Sequence, residues 1–346
     1  MTRVAIRADA AVSIGTGHVM RCLAIANALR EAGMVVEFVS RELPGNLCDL
    51  VHAEGFAVHR LPAGSGTPPG WQEDAEQMLA ALSARRVDWL IVDHYGLDAR
   101  WETKCRAACD RLFVIDDLAD RKHDADVLLD QNYGSDIAHR YEGLIPSSCK
   151  TLLGPRFALL RPEFGRLAGC ARERDGRIER IFVFFGGSDP GNETGKALEG
   201  LRALPMQVRL DVVVGSSNPH REQVKEMCAA IPGATYHCQT PSIAELMDAA
   251  DLAIGAGGTA TWERCCLGLP TLQVVLAENQ LELTRAVAAY GAAVDLGWGN
   301  SLGAEDYRRA VESLDPAAMA SMAQRARSLV DGKGALRVVQ ALMQTE

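Results

Sequence analysis

The chain alternates short, unbroken apolar runs with segments of helical periodicity, and Gly, Asp and Asn stand at the joins. In the first half the runs fall at 3–9 (RVAIRAD), 35–40 (VVEFVS), 87–93 (VDWLIVD), 111–117 (RLFVIDD) and 125–132 (ADVLLDQN). None alternates apolar with polar positions as a strand with one wet face does, so they predict parallel strands covered on both faces. Between the first two, Val19, Leu23, Ala26 and Leu29 recur at steps of four, three and three and stop at Gly33, which predicts a helix. A second helix is expected over 72–85, after the turn-rich stretch 62–70 (PAGSGTPPG). Runs at 178–187, 208–215, 250–257 and 270–277 repeat the same grammar, so the pattern predicts an α/β protein with two Rossmann-like parallel sheets. The polar, charge-rich segment 165–180 is expected to be the linker, with one domain over 1–164 and the other over 181–346. A tail of helical pattern, Met319 to Met343, broken by DGKG at 331–334, is assigned to the second domain, although its pattern also fits a return to the first.

Length agrees with this division, since 346 residues at roughly 150 per domain make about two. Lys and Arg number 36 against 45 Asp and Glu, a net charge of −9, which argues against a broad footprint for nucleic acid or an anionic membrane. No apolar run reaches the ~18 residues of a membrane span. The opening MTRVAIRAD enters a strand at once, without the sections of a signal peptide, so a cytoplasmic protein is expected. The ten cysteines show no paired CxxC of zinc-like spacing, so free thiols and no metal are expected. Cys105, Cys109, Cys265 and Cys266 read as small buried hydrophobes.

Ligands of open α/β sheets bind beyond the carboxyl ends of the strands, and there the chain is unusually polar. The first run is followed by Gly15, Thr16, Gly17 and His18, with His18 at the first turn of the first helix. Glycines let backbone approach a ligand closely. A helix N-terminus disfavours a second positive charge, so a neutral imidazole, able to act as general base, is expected. Met20 occupies the position where G-x-G-x-x-G needs its third glycine, which argues against a dinucleotide fold, and Gly191, Gly195 and Lys196 depart from a P-loop in spacing and in Ala197. Other strand ends carry Asp93, His94 and Tyr95, then Asp116 and Asp117, then Gln131, Asn132 and Tyr133. The residues leave open whether Asp93, Asp116 or Asp117 assists His18. In the second half, Gly186-Gly187-Ser188-Asp189 and Gly257-Gly258-Thr259 end strands, and Gly258 and Thr259 form a natural cradle for a diphosphate. Glu263 lies one turn further on, placed for ribose hydroxyls or simply as a first-turn acid.

Gly257-Gly258-Thr259, Glu263, Gly268-Leu269-Pro270 and Glu278-Asn279-Gln280 together resemble the nucleotide-binding half of GT-B fold enzymes, above all the transferase that adds N-acetylglucosamine to the peptidoglycan lipid intermediate. Ile6-Arg7-Ala8-Asp9, Ile14 to His18, Asp93-His94-Tyr95-Gly96, Tyr141 to Leu144 and Phe157 to Phe164 resemble the UDP-2,4-diacetamido-2,4,6-trideoxy-β-L-altropyranose hydrolase family of bacterial pseudaminic acid biosynthesis and flagellin glycosylation. That resemblance implies a GT-B fold with a cleft between the domains, and hydrolysis of the anomeric C–O bond with inversion, without metal or other cofactor. It implies His18 as general base. Substrate contacts are expected from Gly15, Gly17, Tyr95, Arg161, Gly187, Ser188, Gly257, Gly258, Thr259, Glu263, Asn279 and Gln280, with Asn132 a further candidate. The partners implied are a UDP-sugar and separate enzymes of the same sugar pathway. The alternatives are a glycosyltransferase using a UDP-amino sugar and a nucleotide-sugar-binding protein without activity.

Overall fold

The computed structural model describes residues 1–64, 69–83, 85–170 and 172–344. Thirteen strands form two separate, wholly parallel sheets among these residues. The first sheet contains β1 (Arg3–Ala8), β2 (Val35–Arg41), β3 (Ala57–Leu61), β4 (Val87–Asp93), β5 (Cys109–Ile115), β6 (Val127–Asp130) and β7 (Lys150–Leu153), in the spatial order β3-β2-β1-β4-β5-β6-β7. The second contains β8 (Arg180–Phe184), β9 (Arg209–Val214), β10 (Ala234–Cys238), β11 (Leu252–Ala256), β12 (Thr271–Val275) and β13 (Val294–Trp298), in the order β10-β9-β8-β11-β12-β13. Every apolar run of the sequence corresponds to one of these strands, and the first helix spans Gly17–Glu31. The second expected helix spans Trp71–Ala81, while residues 65–68 of the stretch 62–70 and residue 84 of the expected helix lie outside the described residues.

Both faces of the first sheet are covered. Val4, Ile6, Phe38, Ile91 and Phe113 join one core with the first helix, and Ala5, Val39, Leu90, Val92 and Leu112 join another on the opposite face. The second sheet buries Ile181, Val183, Leu210, Val212, Ile254 and Leu272. In each sheet the strand order reverses once, between β1 and β4 and between β8 and β11, and such switch points open the crevices in which α/β folds hold ligands.

Two boundaries differ from the sequence reading. The main division between the two compact units falls between Arg161 and Pro162, with Tyr133–Ser135 also grouped in the second unit, and the last helix, Gly334–Met343, belongs to the first unit, not the second. Its Val338, Val339, Ala341 and Leu342 are buried in the same core as Leu23, Ala26 and Leu29 of the first helix, so burial of this apolar face decides the assignment. Most of the segment expected to be a linker, 165–180, is part of the second unit. Its Arg174 is buried and donates to the carbonyls of Ala250, Leu267 and Asp248, satisfying the C-terminal ends of two helices that lie about 75 to 95 residues away in sequence. The charge that suggested a solvated linker is there a set of donors to buried carbonyls.

Candidate active site

The last residue of β4 pairs in register with the end of β1, Ala8 opposite Asp93. After β1 the chain folds back on itself, with Ala11 and Gly15 exchanging backbone hydrogen bonds, and Gly15 takes a φ of 80° that favours glycine. The helix then starts at Gly17 and brings His18 onto Asp93 at the switch point of the first sheet. His18 Nδ1 lies 2.5 Å from Asp93 Oδ1, both side chains buried. Arg21, one helical turn after His18, grips the same carboxylate with two bonds, Nε to Oδ2 at 2.6 Å and Nη2 to Oδ1 at 2.7 Å. Its third nitrogen, Nη1, donates to Asp117 Oδ2 at 2.7 Å. Tyr95 packs edge-on against the imidazole, ring centroids 4.4 Å apart and planes at 82°.

Burial opposes charge on Asp93, but Arg21 and His18 outweigh it and hold the carboxyl well below the usual carboxylate range. Asp117 is half-buried, and Arg21 and Tyr95 outweigh its desolvation and hold its carboxyl low. Burial, reinforced by Asp117, pushes the Tyr95 phenol well up, so it stays protonated. An ionised Asp93 can only accept hydrogen bonds. With Asp93 as the acceptor, Nδ1 is the donor of this contact, and Nε2 is the ring nitrogen that Asp93 leaves unengaged.

The other carboxylates of the first domain divide by what they touch. Asp116 turns away from His18, accepting from Ala119 N and Tyr141 Oη and pairing with Arg121 at 2.8 Å. Asn132 Nδ2 donates to the Asp117 carbonyl at 3.1 Å, so it braces the loop that carries Asp117. Arg7 and Asp9 form a buried bidentate pair at 2.5 and 2.8 Å, and Arg7 also meets Asp74, which accepts from Arg41 and Trp101. These residues tie β1 and β2 to the helix Trp71–Ala81. Arg161 stands half-buried at the end of the first domain. Arg21 was not singled out in the sequence; its signal was a charge three residues after His18 on a helix otherwise buried almost throughout.

In the second domain β8 and β11 lie side by side, Phe184 pairing with Gly255, so the turns that follow them emerge together at the second switch point. Asp189, at the end of Gly186-Gly187-Ser188-Asp189, points inward and accepts from Glu193 N, Thr194 N and Thr194 Oγ1, fixing the start of the helix Glu193–Arg202. Gly187 and Ser188 stay half-buried beside it. After β11, a Cβ on Gly257 would lie 2.1 Å from Thr284 Oγ1 and 3.1 Å from Gln273 Nε2, so only glycine fits. Gly258 has the Gln280 side-chain amide as its neighbour, and Gln280 Oε1 accepts from Leu276 N at 3.0 Å. Gly257, Gly258 and Gln280 thus share one place in the fold. Thr259 and Asn279 are exposed, and Glu263 is half-buried in the helix Ala260–Cys266. That helix has a buried face of Trp262, Cys265 and Cys266, with Cys105 and Cys109 buried in the first domain, in keeping with their reading as small hydrophobes.

No family model matches the chain. It is 29% identical to the spore coat polysaccharide biosynthesis protein SpsG of Bacillus subtilis, over 98% of this chain and 97% of that protein. It is 25% identical to the UDP-2,4-diacetamido-2,4,6-trideoxy-beta-L-altropyranose hydrolase of Campylobacter jejuni, over 85% of this chain and 98% of the hydrolase. Among solved structures, MurG of Acinetobacter baumannii superposes with a TM-score of 0.70 at 16% identity, covering 99% of this chain and 100% of that one. Two Rossmann-like domains with such a structural neighbour make the fold GT-B, and the likeness to the spore coat protein and to the hydrolase extends over most of the chain.

Proposed function

We propose that the protein hydrolyses a UDP-activated amino sugar, UDP-2,4-diacetamido-2,4,6-trideoxy-β-L-altropyranose, with inversion at the anomeric carbon and without metal, releasing UDP and the free sugar. The observation that carries this reading is the 2.5 Å contact of His18 Nδ1 with a buried, ionised Asp93, which orients Nε2 as a proton acceptor. In the proposed reaction Nε2 takes a proton from water as the water oxygen attacks C1 opposite the leaving group. The C1–O bond breaks with its electron pair going to the UDP oxygen, and the single displacement inverts the carbon. Asp93 stabilises the imidazolium that forms. A diphosphate leaves readily, so the greater need is stabilisation of its charge, which fits the glycine turn at Gly257 to Thr259. In this reading Tyr95 supports the His18 ring, and Gly15 and Gly17 give backbone access next to it. Gly187, Ser188, Glu263, Asn279, Gln280 and Arg161 complete the substrate contacts, the protein works in the cytoplasm, and separate enzymes supply the UDP-sugar and consume the product.

A water acceptor is favoured over a sugar or lipid acceptor because the family resemblance runs through the residues around His18. The test is proton NMR of the protein with this UDP-sugar, without metal or acceptor. Release of UDP with an inverted first-formed anomer is the expected result. An intact, bound substrate would sink the hydrolase reading in favour of a transferase. H18A is expected to retain UDP binding and to lose a factor of about 100 to 10,000 in turnover. Near-normal turnover in that variant would remove His18 from the chemistry.

A further inference from the structure

Beneath the glycine turn of the second domain lies a buried cation with no ion-pair partner among the described residues; the adjoining Glu263 favours its charge without hydrogen-bonding it. Arg264 is 1% exposed. Its Nη2 donates to the Ala256 carbonyl at 2.8 Å, to Thr261 Oγ1 at 3.1 Å and to Gln273 Oε1 at 3.4 Å, all neutral acceptors. Its Nε and Nη1 are buried without a partner, and no carboxylate lies within ion-pair distance among the described residues. The contrast with the first domain is sharp, because buried Arg7, Arg21 and Arg41 each grip a carboxylate. A buried charge left without its opposite is costly, and burial accordingly pulls the Arg264 guanidinium down to about 10.

The position of this charge is specific. Ala256, whose carbonyl Arg264 holds, is the residue immediately before Gly257 and Gly258. A Cβ on Gly255 would approach Arg264 Nη1 to 3.2 Å, so the guanidinium lies directly against the end of β11. Gln273, held between Arg264 and Thr284, adjoins Gly257 from the other side. We propose that Arg264 is a buried countercharge for the anionic group of the ligand, positioned under the glycine turn 257–259 so that the diphosphate supplies the negative charge the protein omits. The inference rests on the nucleotide-sugar reading of this domain. Arg264 acts through space and through the backbone it holds, so it is a positioning residue that does not touch the substrate.

The test compares binding of UDP, pyrophosphate and uridine by calorimetry in the whole protein, its R264M and R264K variants, and Q273E. The last places a carboxylate beside the guanidinium and so provides an internal counterion. R264M and Q273E are each expected to weaken UDP and pyrophosphate by about tenfold or more while uridine changes by less than twofold, and R264K is expected to recover most of the loss. Equal weakening of UDP and uridine would reduce Arg264 to a structural brace, and an unchanged UDP affinity in Q273E would overturn the proposal even if R264M fails to fold. Wild-type binding of pyrophosphate but not of UDP would sink the nucleotide reading and leave the countercharge standing; binding of neither would sink both.

Discussion

His18 and Asp93, 75 residues apart in sequence, meet Nδ1 to Oδ1 at 2.5 Å because β1 and β4 are neighbours in the first sheet. The contact fixes the imidazole tautomer from a residue that a ligand at Nε2 would not reach. D93N presents an amide that can donate to Nδ1, which favours the wrong tautomer. Its turnover is expected to fall by about a thousandfold or more with UDP affinity unchanged, and loss of both in parallel would make Asp93 a folding residue only.

Arg21 bridges Asp93 and Asp117, and its bonds need a flat, forked donor. R21K cannot make three of them at once. A loss of roughly 2 to 4 kcal/mol in urea unfolding is expected, since two carboxylates are left short of partners. A change under 1 kcal/mol would show that the network contributes little to stability.

The carboxyls of Asp9, Asp74, Asp93 and Asp117 are all depressed in the folded protein, burial being overcome in each by neighbouring arginines. An acid whose folded value lies below its unfolded value of about 3.9 adds stability that is complete above that pH and lost as pH falls through the folded value. Melting followed by circular dichroism is therefore expected to weaken steeply below about pH 4. A flat profile between about pH 5 and 3 would contradict the network as drawn.

Gly257 has no room for a side chain because Thr284 Oγ1 occupies it. G257A is expected to weaken UDP binding at least tenfold by displacing the turn, and T284A in the same chain to restore part of it by removing the clashing oxygen. If G257A binds UDP normally, the turn is not where the nucleotide sits.

Leu342 is 2% exposed in the core shared by the first and last helices. L342A is expected to cost about 2 to 5 kcal/mol. A loss below 1 kcal/mol would mean that the last helix docks only loosely.

The strands the sequence missed share one property. β3, β7, β10 and β13 are the outermost strands of their sheets, and their sequences, AVHRL, KTLL, ATYHC and VDLGW, mix polar and apolar positions because each has only one neighbour and sits partly exposed. Interior strands, hidden on both faces and both edges, carry the unbroken apolar runs that reading along the chain detects. The same distinction governs the site. His18, Asp93, Tyr95 and Asp117 were each visible as polar residues at strand or helix ends, but which acid serves His18 depends on the order β1-β4-β5, in which sequence neighbours are not sheet neighbours. Arg264 was silent because its neighbours in the sequence, Glu263 and Cys265, give no hint that its guanidinium lacks a counterion.

The return of the last helix to the first domain gives the protein an order of assembly. The chain leaves the first unit at Arg161, builds the second apart from its short Tyr133–Ser135 piece, and comes back at Lys333, and within the second unit the outgoing and returning segments touch, a Cβ on Gly332 falling 2.6 Å from Gly165 Cα. In topological terms the second domain is an insertion with adjacent ends. During synthesis it can close its core while the first helix still exposes the apolar stripe that Val338 and Leu342 will cover, so the domain made first is the one finished last.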